Sequence, residues 1–134
     1  MPSATPIVAV FNASEDTVDM LIAFFEQLGW KAVGEPWPAR QQLSVEVVSA
    51  FVVRHQPHVI VFDVSFPYDH NWERFREFRA AEPVGEIPVV LTTTNKHALD
   101  TMVGSNDAFE IIGKPYDLNH LADAVNRALA HPIR

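Results

Sequence analysis

Apolar residues follow two alternating rhythms along this chain. The first is the short unbroken run: Ile7-Val8-Ala9-Val10-Phe11, then His58-Val59-Ile60-Val61-Phe62-Asp63, then Pro88-Val89-Val90-Leu91-Thr92-Thr93. A run without polar alternation predicts a strand covered on both faces. The second rhythm is helical. Val18, Leu21, Ile22, Phe25 and Leu28 recur at helical spacing, and Gly29 supplies the stop. Ser14 stands where an N-cap hydroxyl accepts from the first turn, and Glu15 and Asp16 lie where the helix dipole favours negative charge.

The remaining elements carry shorter patterns. Lys31-Ala32-Val33-Gly34 predicts a short strand, and Pro36-Trp37-Pro38 a rigid loop. Leu43, Val47, Val48, Phe51 and Val52 predict a second helix that ends before Pro57. Trp72, Phe75, Phe78 and Arg79 predict a third, and a short helix is expected over 96–103. Phe109-Glu110-Ile111-Ile112 reads as a last short strand, and Leu118, Leu121, Ala122, Val125, Ala128 and Leu129 as a closing helix. Five alternations of strand and helix imply an α/β domain with a parallel sheet, helices on both faces and right-handed crossovers. With no repeat and no linker-like stretch, one domain over residues 1–134 is expected.

Composition narrows the function classes. The formal net charge is −7, with pI about 5.2 and no run of basic residues. Nucleic acid is therefore not expected as a partner, because such binding rests on a basic surface. The chain has no cysteine, which excludes disulfides and thiolate metal sites. No apolar stretch approaches a membrane span and the first residues do not read as a signal peptide, so a cytoplasmic location without membrane contact is expected. The six histidines do not pair at metal spacing on one helix, and neither a glycine-rich phosphate loop nor a nucleophilic serine elbow occurs.

In an open parallel sheet, ligands bind beyond the carboxyl ends of the strands, where strand order reverses. The residues ending the apolar runs are Asn12, Asp63, Thr93 with Thr94, and Lys114. An acid, a hydroxyl and an amine thus meet at one edge, with Asn12 on the rim. These groups suit phosphoryl transfer to a carboxylate: Asp63 as nucleophile, Thr93 as hydrogen-bond partner of a phosphoryl oxygen, and Lys114 as the neutralising cation. A divalent cation with oxygen ligands, usually Mg²⁺, would bridge carboxylate and phosphoryl group.

On these residues the whole chain resembles the receiver domain of bacterial two-component response regulators. The matching features are the apolar strand ending in Asp63, Pro67 four residues later, the hydroxyl strand Pro88 to Thr93, and Lys114-Pro115-Tyr116-Asp117-Leu118 as a lysine–proline–aromatic motif. The resemblance implies a flavodoxin-like doubly wound five-stranded sheet of order 2-1-3-4-5. It also implies phosphorylation of Asp63 by a histidine kinase or phosphotransfer protein, with Mg²⁺ held by Asp63, Asn12 and the backbone carbonyl of Ser65. Partner contact is expected around residues 96–103, residues 109–111 and the closing-helix positions Asn119, Asp123 and Asn126. Three departures stand out. Asn12 and Ala13 occupy the positions of two metal-binding acids, Pro67 to Asn71 lacks the family's glycine, and Ile111 replaces a frequent aromatic switch residue. Weak Mg²⁺ binding is expected from the first of these.

Three functions remain open on the sequence. A stand-alone receiver in a phosphorelay would signal through a downstream protein or as a homodimer, since no length remains for an output domain. Its only enzymatic activity would be self-catalysed phosphoryl transfer and hydrolysis of the aspartyl phosphate. A phosphate-blind pseudo-receiver would keep the fold as a binding module. A flavin-binding electron carrier on the same topology would have to place its cofactor phosphate beside Glu15 and Asp16, an unfavourable arrangement.

Overall fold

The computed structural model describes residues 5–12, 14–36, 44–64, 68–94, 96–97, 110–114 and 117–130. In chain order these form β1 (Ile7–Asn12), α1 (Glu15–Gln27), β2 (Lys31–Pro36), α2 (Val45–His55), β3 (Val59–Asp63), α3 (Tyr68–Ala80), α4 (Glu82–Gly85), β4 (Val89–Thr93), β5 (Glu110–Gly113) and α5 (Leu118–Leu129). The strands make one parallel sheet of order β2-β1-β3-β4-β5. This is the doubly wound topology that the resemblance implies, and β1 and β3 flank its switch point.

The unbroken apolar runs are explained by what covers each face. Ala9, Phe11, Ile60, Phe62, Val89 and Leu91 pack on one side with Val48 and Val52 of α2 and Trp72, Phe75 and Phe78 of α3. Their alternates Val8, Val10, Val59, Val61, Val90 and Ile112 pack on the other with Val18, Leu21 and Phe25 of α1 and Leu121, Ala124, Val125 and Ala128 of α5. Successive strand residues face opposite ways, so a strand buried on both sides has no polar position to spare. Among the described residues, no helix is long and apolar enough to cross a membrane.

Helix ends follow the expected chemistry. The Ser14 hydroxyl accepts from the Thr17 amide at 3.2 Å, and the backbone after α1 turns through Gly29 at φ +92°. Ser44 caps α2 in the same way, and Gln56 ends it in the left-handed conformation ahead of Pro57. Three details depart from the sequence reading. Pro36 is the last residue of β2, opposite Asn12, rather than the start of a loop. Leu28 is half exposed as the C-cap of α1 instead of completing its apolar face. A four-residue helix, α4, follows α3. In the expected helix over 96–103, Lys96 and His97 are helical; the rest of it, Leu43 and Phe109 lie outside the described residues.

Candidate functional site

Asp63 ends the central strand β3, all five residues of which are buried. Beyond it the Val64 amide donates to the Thr92 carbonyl at 2.8 Å, so pairing with β4 runs past the carboxylate and fixes its backbone. On the far side of β4 the Lys114 amide donates to the Thr93 carbonyl at 2.7 Å, which sets Lys114 just beyond β5 at the same edge. Four of the five strand ends at this edge carry Asn12, Asp63, Thr93 and, one residue beyond β5, Lys114.

The side chains then meet. Asp63 is 6% exposed. The Lys114 ammonium lies 2.6 Å from Asp63 Oδ1. The Thr92 hydroxyl donates to the same oxygen at 2.7 Å. Two donors on Oδ1 offset much of the cost of burying a carboxylate, and one of them carries the opposing charge. Among the described residues, neither of these contacts is made to Oδ2.

Thr92 is the residue that sequence reasoning missed. The β3–β4 register sets Asp63 opposite Thr92, so their side chains share a face of the sheet. Thr93 is fully buried and alternates to the other face, that of Leu91. With hydroxyl residues at 92, 93 and 94, only the register decides which one meets the carboxylate. A second hydroxyl pair lies at the same edge: Tyr68 at the start of α3 and Thr94 just past β4 are hydrogen-bonded at 2.5 Å.

Asn12 is 5% exposed at the end of β1, and its side-chain oxygen accepts from the Ser14 amide at 2.9 Å. The amide group thus shapes the turn into α1. Ser65, whose backbone carbonyl the resemblance assigns to a metal, and Ala13 lie outside the described residues. Among the described residues no three His, Asp or Glu side chains cluster as a metal site.

Neither a family model nor a curated protein matches the chain. Solved structures do. A chemotaxis response regulator of Vibrio cholerae is similar at TM-score 0.72 and 17% identity over 93% of this chain and 99% of that one. A sensor protein from Polaromonas sp. JS666 gives 0.75 and 17%, over 93% and 96%. A response regulator receiver protein from Pseudomonas putida gives 0.69 and 20%, over 94% and 99%. The chain has the receiver fold. Within that fold the buried Asp63 and the partly exposed Lys114 pair at the carboxyl edge, where the sheet order reverses.

Proposed function

We propose that this receiver fold works as a phosphorylation-controlled signalling domain. Asp63 accepts a phosphoryl group from a phosphohistidine of a histidine kinase or phosphotransfer protein, and the modified domain signals by protein contact. One observation carries the reading: Lys114 and Thr92 converge on one oxygen of a buried strand-end carboxylate, which reserves the other oxygen for reaction. In the forward step an Oδ2 lone pair forms the new O–P bond. The P–N bond of the donor breaks, and its electron pair returns to the imidazole. The Lys114 ammonium offsets negative charge brought in by the phosphoryl oxygens. The solved structures named as response regulators support this assignment by analogy of fold.

Mg²⁺ is the cation this chemistry ordinarily employs, and the described donor set fits it poorly. Asp63 is the one carboxylate among the last residues of the described strands, and the Asn12 oxygen is already accepting from Ser14. A hard cation held largely by water depends on carboxylate charge, so affinity should be weak. The test is incubation with a small phosphodonor such as acetyl phosphate over a series of Mg²⁺ concentrations, read by intact-protein mass. The native chain should gain one phosphoryl group, Asp63→Asn none, and the Mg²⁺ dependence should saturate only in roughly the millimolar range. An unmodified native chain would sink the proposal.

A second reading is favoured by Asn12 and Ala13 standing where two acids are expected. In it the fold binds its partner regardless of phosphate. Partner binding that survives Asp63→Asn undiminished would select this reading.

A further inference from the structure

We infer that Thr92 is a positioning residue that sets both which oxygen of Asp63 reacts and how long the aspartyl phosphate lasts. The inference rests on the phosphoacceptor reading above. It starts from the register: Asp63 and Thr92 are directly paired, both buried, on the face shared with Val61 and Val90. In a doubly wound sheet that face belongs to apolar packing against α1 and α5, so a threonine there is a polar group in an apolar row. Its hydroxyl is satisfied by Asp63 Oδ1, and the described residues leave no fully buried side-chain polar atom unpaired.

The consequence is chemical. A hydrogen bond to an ionised carboxylate is stronger than one to a neutral carbonyl oxygen. When Oδ2 carries the phosphoryl group, Oδ1 becomes the acyl carbonyl and loses most of its charge. Hydrolysis reverses this. Water attacks phosphorus, the P–Oδ2 bond breaks, and the electron pair spreads back over both carboxylate oxygens while the water proton passes to solvent. The Thr92 hydroxyl and the Lys114 ammonium both wait on Oδ1 where that charge returns. Lys114 is drawn toward the phosphoryl oxygens in the modified state, whereas Thr92 is held by the strand and has no such alternative. Thr92 therefore stabilises the leaving carboxylate in the hydrolytic transition state and shortens the life of the adduct.

The experiment compares Thr92→Val, of the same shape without the hydroxyl, with Thr92→Ser, which keeps it. Each variant and the native chain are loaded with acetyl phosphate, freed of donor, and followed by intact mass as the phosphoryl group is lost. Thr92→Val should lengthen the half-life roughly three- to tenfold. Thr92→Ser should bring it back near the native value. A purely structural role would lower thermal stability without separating valine from serine in this way; Thr92→Ala serves as a second hydroxyl-free variant should valine not fold. Equal lifetimes for the valine and serine variants overturn the inference while leaving Asp63 as acceptor. A native chain that takes no phosphoryl group overturns the underlying reading, and the inference with it.

Discussion

Asp63 and Lys114 illustrate how far single residues can be read. An apolar run that stops at an acid, and a lysine set just beyond a later run, both point to the carboxyl edge of a parallel sheet, and there the two side chains are in contact. The partner hydroxyl was not legible, because residues 92 to 94 are all threonine and a one-residue change of register exchanges their faces. Asn12 is legible as a strand-end residue, but its bond to the Ser14 amide depends on turn geometry that no spacing encodes. The Asp63–Lys114 contact also bears on stability. Lys114→Met would leave a buried carboxylate with Thr92 as its one remaining described donor. Breaking such a pair from one side costs about 1–3 kcal/mol, less than for a fully buried pair because Lys114 is partly exposed. Chemical denaturation should show this loss, and an unchanged midpoint would mean that solvent already screens the pair.

At the scale of elements, strands and long helices follow from their periods, whereas close packing and short turns do not. A Cβ built on Gly34 of β2 would collide with Val18 and approach Ile22 within 3.0 Å, so α1 lies directly on the strand there. Val18 is a stiff, fully packed side chain and has little room to withdraw. Gly34→Ala is therefore expected to destabilise the fold by about 1–3 kcal/mol in equilibrium denaturation. A neutral or stabilising result would show that α1 shifts freely over β2. The short α4 escaped sequence reading because four residues carry no helical period. Its position is set by Arg79 at the end of α3, whose Nη1 donates to the Val84 carbonyl at 2.9 Å and the Ile87 carbonyl at 2.6 Å. In the sequence Arg79 counts only as one of the residues that predict α3. Its hydrogen bonds show it closing the turn that leads into β4.

At the scale of the molecule, a two-sided core buries every residue of β3 and β4, so under the proposed function a signal from Asp63 would leave through the groups beyond the strand ends. Asn119, Asp123 and Asn126 are exposed on α5, and Arg127 ties that helix to Glu110 of β5 at 2.8 Å. Ile111 offers no hydrogen-bonding group for a rotamer switch, so coupling should pass through the segment after Thr93. Thr93→Ala is predicted to leave phosphoryl uptake in place while cutting the difference in partner affinity between modified and unmodified protein, as read by calorimetry with a captured partner. Retention of the full difference would place the coupling elsewhere. The central claim remains the chemistry at Asp63, and reductive trapping tests it most directly. Borohydride converts an aspartyl phosphate to homoserine, and peptide fragmentation then locates it. The account predicts homoserine at position 63 alone after exposure to a phosphodonor. Trapping at another acid, or none at all in a chain that stays folded, would contradict it.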